Sequence, residues 1–118
     1  FCNEDEANTF ADSSDSTHAI QRLSQLTSIV CITRGANGVL IRQDGYSVSV
    51  PAVPVEAVDT NGAGDLFAGG FLYGITHALD VEQAGKIGSY AAAQVVAQYG
   101  PRLQKTLDSV ETILAQFE

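Results

Sequence analysis

The apolar positions of the chain follow two rhythms. Residues 28–33, SIVCIT, are almost wholly apolar, as in a parallel strand buried on both faces. Residues 39–42 predict a second strand, QDG a hairpin turn, and YSVSVP an alternating strand with Val48 and Val50 on one side. FCN at 1–3 reads as a strand end. Elsewhere the spacing is helical. A helix is predicted over 4–11, with Ala7, Phe10 and Ala11 at i, i+3, i+4. DSSDS supplies caps for a helix over 17–26, whose Ile20, Leu23 and Leu26 share a face. A third helix is predicted over 63–79. Asp80 and Gln83 form a capping box opening a fourth, with a stripe of Ala84, Ile87, Ala91 and Val95, closed by Gly100 and Pro101. The last helix, over 106–117, turns Val110, Leu114 and Phe117 inward, and residues 52–62 form a loop with strand-like patches. The order β-α-α-β-β-β-α-α-α implies a layered α/β fold.

Composition narrows this picture. The 118 residues are 45% apolar and 17% charged, which suits one globular core. No stretch long enough to span a membrane is purely apolar, so no membrane partner is expected. The net charge is −8 and the six basic residues are scattered, which argues against nucleic acid. A small anion held by backbone N–H groups stays open. Cys2 and Cys31 have no metal-type spacing and read as buried, reduced thiols of a cytoplasmic protein. The chain opens on a strand end, without Met or a signal pattern, and is expected to be a piece of a longer domain.

The candidate chemistry lies in DTNGAGD, residues 59–65. Small residues let ligand oxygens approach the backbone, and a helix start offers unpaired N–H groups and a positive dipole end. Asp65 in the first turn is favourable as a dipole partner by about 0.3–1 kcal/mol, with no further role required. That does not explain both flanking glycines, since glycine at a helix start costs about 0.5–1 kcal/mol relative to alanine. The stretch is neither a Gly-Lys-Ser/Thr loop nor G-x-G-x-x-G.

DTNGAGDLFAGGF is similar to the C-terminal signature of the ribokinase, or PfkB-type, carbohydrate kinase family. Asp59, Thr60, Gly62, Ala63, Gly64, Asp65, Ala68, Gly69, Gly70 and Phe71 all fit it. NEDE (3–6) resembles the family's N-x-x-E motif, TRGANG (33–38) its strand and glycine turn near the nucleotide, and AAAQVVAQYG (91–100) the helix and loop beside the adenine pocket. Within the family, FCNEDEA, DTNGAGD and FLYGI look most similar to adenosine kinases and the bacterial sugar kinases near them.

The resemblance implies a three-layer ribokinase-like (Rossmann-like) α/β fold. Residues 1–118 would be the C-terminal nucleotide-binding and catalytic part of a single domain, without the N-terminal part and lid. It implies an ATP- and Mg²⁺-dependent kinase acting on a primary hydroxyl of a sugar or nucleoside. Asp65 would be the base, and the backbone of Gly62, Ala63 and Gly64 the anion hole. Thr33, Gly35 and Gly38, with Gly62 and Gly64, would line the nucleotide. Asn3 and Glu6 would organise Mg²⁺ and its waters, although alone NEDE reads as an acidic helix start. Asp59 and Asn61 match positions that in some members help hold K⁺, but Asn61 stands where ribokinase-like members carry Thr. K⁺ and a homodimer of the full-length protein stay open.

Two other readings compete: adenosine kinase specifically, or a non-catalytic nucleotide-binding protein, against which intact Asp65, Asn3 and Glu6 argue. The isolated chain, carrying half a site, is expected to be inactive. His77 reads as a dipole partner at a helix end and His18 as a surface residue. Tyr73, Tyr90 and Tyr99 read as core or pocket wall, Arg34 as a turn residue within reach of a phosphate, and Arg102 has no evident role.

Overall fold

The computed structural model describes residues 1–98, 100–103 and 106–118. Its centre is a four-stranded sheet of β1 (Cys2–Asn3), β2 (Ile29–Thr33), β3 (Val39–Gln43) and β4 (Tyr46–Val50), in that order. β1 runs parallel to β2, with Cys2 opposite Ile32 and Asn3 opposite Thr33. β2, β3 and β4 pair antiparallel. Parallel pairing brings the C-terminal ends of β1 and β2, Asn3 and Thr33, to one edge, where ligands bind in open α/β sheets.

Both faces of the sheet are covered, which accounts for the unbroken apolar run in β2. Val30 and Ile32 meet α1 (Glu4–Ala11) and α2 (Ser16–Leu23) through Ala7, Ala11, Ala19 and Ile20. Cys31, with Val39, Ile41 and Val50, faces α3 (Ala63–Thr76) and α4 (Val81–Val96) through Phe67, Phe71, Val81 and Ala84. These are the three layers the family resemblance implies. Ile20, Ile32, Ile41 and Phe71 are almost completely buried, each side chain contributing about 1.5–3 kcal/mol. A third cluster, Ile87, Tyr90 and Ile113, holds α5 (Val110–Ala115) against α4.

α3 and α4 approach closely because small residues meet between them. A Cβ on Gly70 would lie 2.8 Å from Gly88 Cα, and one on Gly74 would lie 2.7 Å from Ala84 Cα. Glycine inside a helix costs about 1 kcal/mol relative to alanine, and here it lets the two backbones touch.

Helix limits differ from the sequence expectations at several ends. α2 is capped by Asp15, whose carboxylate accepts from Thr17 N at 2.9 Å, and it stops at Leu23. The next residues close as a turn, Leu26 N donating to Leu23 O, so Leu26 leaves the Ile20 face and is 69% exposed. Phe10 is 66% exposed, because Ala7 and Ala11 stack one turn apart and Phe10 is carried about 100° round from Ala11. α3 stops at Thr76 with His77 as its cap. The Asp80–Gln83 box forms as expected, but α4 closes at Ala97 rather than Gly100. α5 begins at Val110, after Ser109, whose hydroxyl caps it, and the residue it buries is Ile113, with Val110, Leu114 and Phe117 only partly buried around it. Among the described residues no helix is long and apolar enough to cross a membrane. Cys2 and Cys31 are free thiols. Burial pushes the Cys31 thiol up to about 12.

Candidate functional site

Above that sheet edge lies a cleft of about 540 Å³. One wall is the turn after β2, with Thr33, Gly35 and Gly38; another is the start of α3, with Thr60, Ala63, Gly64 and Phe67. Five of the residues expected around a nucleotide or phosphate, Thr33, Gly35, Gly38, Ala63 and Gly64, thus share one cavity. α4 closes it with Ser89, Ala92, Ala93 and Val96, and residues 52–57 cover it with Val53 and Val55. Apart from the hydroxyls of Thr33, Thr60 and Ser89, its lining side chains are apolar. Ser89 is 8% exposed and its hydroxyl makes no hydrogen bond with a described residue. It escaped the sequence reading because a lone serine in an apolar helix carries no spacing signal.

Gly62 and Gly64 differ in what they do. Gly62 sits at φ +83° as the N-cap of α3, and a Cβ there would lie 2.7 Å from Pro101 Cβ. The fold itself requires that glycine, and Gly62 does not line the cleft. Gly64 has no positive φ, and a Cβ there would meet nothing within 4 Å. The chain leaves open space in front of that backbone. Ala63 N donates to Thr60 O at 3.3 Å, whereas the N–H groups of Gly62, Gly64 and Asp65 have no acceptor among the described residues. Unpaired donors at a helix N-terminus are chemically suited to an anion.

Asp65, three residues past the Gly62 cap, does not cap the helix. It is exposed, and its carboxylate makes no hydrogen bond or ion pair with a described residue. A carboxylate without a partner among the described residues stands beside unpaired donors.

The sequence profile of the pfkB family carbohydrate kinases matches residues 1–107. The chain belongs to the pfkB carbohydrate kinase family. It is 35% identical to adenosine kinase 1 of Arabidopsis thaliana over 85% of this chain and 33% of that protein. A provisionally named sugar kinase from Rhizobium etli CFN 42 superposes with a TM-score of 0.88 at 38% identity, covering 98% of this chain and 34% of that one. A provisionally named ribokinase II from E. coli, in complex with ATP and Mg²⁺, superposes with a TM-score of 0.84 at 26% identity, covering 97% of this chain and 38% of that one. The chain spans about a third of the length of these relatives.

In this pfkB-family chain the expected Mg²⁺ residues lie outside the cleft lining, at the end of β1. Asn3 Oδ1 accepts from Glu6 N at 2.8 Å, and Glu6 Oε1 accepts from Asn3 N at 2.9 Å. That capping box starts α1 and fixes both side chains. Glu6 Oε2 keeps no partner among the described residues. No group of three or more His, Cys, Asp or Glu that could hold a metal occurs among the described residues. Glu6 Oε2 and the exposed Asn3 side chain are oxygen donors of the kind Mg²⁺ takes directly or through its waters.

Asp59, matched to a cation position, spends both carboxylate oxygens on backbone donors, Asn61 N at 2.9 Å and Gly100 N at 3.1 Å. Those bonds, Asn61 first, hold its carboxyl below the usual range. Arg34 donates to Asn37 O on its own turn and to Ser49 Oγ on β4. His77 Nδ1 lies 2.7 Å from Tyr73 O and its ring stacks on Tyr73, the helix-end role expected of it. His18 is exposed. Tyr73 is exposed rather than core, and buried Tyr90 donates to Asp108 Oδ2 at 2.7 Å. Tyr99 lies outside the described residues.

Proposed function

We propose that the whole protein transfers the γ-phosphoryl group of ATP to a primary hydroxyl of a sugar or nucleoside. The observation that carries this reading is the unpartnered Asp65 carboxylate in the first turn of α3, beside the free N–H groups of Gly62 and Gly64. Asp65 takes the proton of the attacking hydroxyl, a role that needs an ionised acceptor. The N–H groups of residues 62–64 stabilise charge on the transferring group; Ala63, bonded weakly to Thr60, contributes least. Phosphoryl transfer depends on such positioning and charge stabilisation. The apolar walls of Val53, Val55, Ala92 and Val96 suit the base, and Thr33, Gly35 and Gly38 suit the phosphates. Asn3 and Glu6 would hold Mg²⁺ through its waters, and the ion supplies neutralisation of phosphate charge.

Adenosine as the acceptor is the narrower reading, in line with the 35% identity to an adenosine kinase but not singled out by it. Residues 1–118 hold one side of the site, so the isolated chain is expected to phosphorylate nothing.

The test is Asp65→Asn in the full-length protein, assayed with ATP and the best acceptor from a panel of sugars and nucleosides. Turnover should fall by about 10²–10⁴-fold. Stability to urea should fall by no more than the dipole contribution, about 0.3–1 kcal/mol, because the carboxylate has no hydrogen-bond partner to lose. Near-normal turnover would remove Asp65 as the base.

A further inference from the structure

The turn that delivers the start of α3 is tied to the last residue of α4 and the segment following it at four points. Asp59 Oδ2 accepts from Gly100 N at 3.1 Å while Oδ1 accepts from Asn61 N at 2.9 Å. Val58 N and Asp59 N both donate to Val96 O, at 2.8 and 3.1 Å. Pro101 fills the place where a Cβ on Gly62 would stand. Val96 itself lines the cleft from the α4 side, and Thr60, Ala63 and Gly64 line it from the α3 side. The backbone of Val58 and Asp59 therefore joins the two walls through Val96 O, and the Asp59 side chain extends that join to Gly100, just beyond the α4 wall. One carboxylate oxygen holds the turn and the other holds Gly100, in the segment after α4.

We propose that Asp59 is a positioning residue that locks the anion-binding start of α3 to the segment after α4, so that the free N–H groups and the cleft wall move as one body. Its side chain needs no contact with substrate to do this. Without the lock, the Gly62–Gly64 donors lose their fixed aim while the apolar walls, built on α4 and residues 52–57, remain. Orientation at the reacting centre then suffers more than nucleotide affinity. The kinetic consequence rests on the phosphoryl-transfer reading; the mechanical coupling does not.

The test uses full-length protein carrying Asp59→Asn, in which one oxygen becomes an NH₂ group that cannot accept an N–H bond. Amide hydrogen exchange reads the coupling without requiring activity. Exchange at Asn61, Gly100 and Leu66, whose N–H donates to Gly62 O at 3.0 Å, should quicken together by about tenfold, while Ala84 in the first turn of α4 is unchanged. Pro101→Gly, which leaves Asp59 intact, should move the same amides in the same direction, and it serves if the first variant does not fold. In kinetics, kcat should fall by about tenfold or more with the KM for ATP nearly unchanged. Exchange that quickens at Gly100 and Asn61 but not at Leu66 overturns the coupling. So does a normal kcat, or a loss of kcat matched by KM and melting temperature. A wild-type protein with no kinase activity would defeat the functional reading instead, and the exchange result would still decide the coupling.

Discussion

Gly64→Ala and Gly62→Ala separate what the ligand needs from what the fold needs. Gly64 is the second residue of α3, and an added methyl meets no atom within 4 Å. Replacing a helical glycine with alanine removes unfolded-chain entropy, so Gly64→Ala should stabilise the protein by about 0.5–1 kcal/mol. Gly62→Ala should do the opposite. At φ +83° it adds left-handed strain of about 1–2 kcal/mol. Its methyl would stand 2.7–2.8 Å from three atoms of Pro101, an overpacking cost of about 1–3 kcal/mol. The expected loss is about 2–5 kcal/mol. Urea unfolding of the full-length protein measures both. Turnover should rank them differently. The stabilised Gly64→Ala variant should lose about 100-fold in kcat, because its methyl occupies space in front of the unpaired N–H groups and displaces the phosphoryl group by about an ångström. If Gly64→Ala turns over normally, the reacting phosphate does not lie against that backbone. If it is destabilised, the space beside Gly64 is not open, and a ligand is not needed to explain that glycine.

Other predictions address single features. Glu6→Gln keeps an oxygen to accept from Asn3 N, so the capping box and the urea midpoint should be retained. The Mg²⁺ concentration needed for half-maximal turnover should rise by about tenfold or more, and an unchanged requirement would leave Glu6 as a cap alone. Gly70→Ala forces a methyl to 2.8 Å from Gly88 Cα and should cost about 1–3 kcal/mol in urea unfolding; a wild-type midpoint would mean the two helices do not meet there. Cys31, with its thiol near 12 against about 8.5 for a free thiol, should resist iodoacetamide at pH 8 in the folded protein and react once unfolded. Because the folded state holds that proton longer than the unfolded state, the contribution to stability is intact below about pH 8.5 and is lost as pH rises toward 12. Rapid labelling of Cys31 in native protein would contradict its burial.

What the sequence made legible was what neighbouring residues decide among themselves. The two-sided burial of SIVCIT, the QDG hairpin and the Asp80–Gln83 box depend on local pattern, and all three form. Less legible were features decided by distant partners. Gly100 looked like a helix stop from its neighbours, yet its N–H is committed to Asp59, 41 residues away. The helix limits slipped where a turn bond or a serine hydroxyl, rather than the apolar period, chose the end. Ser89 had no local signal, and only the folding of α4 over the start of α3 brings it to the cleft. DTNGAGD shows the division within a single motif. Its two glycines look equivalent in sequence, and both invited the idea of close ligand approach. Gly62 answers to Pro101 and a left-handed turn, which would hold in a protein with no ligand at all. Gly64 answers to nothing in the chain. The cost of a glycine at that helix start, opposite open space and beside an unpaired carboxylate, is therefore not explained by any contact among the described residues.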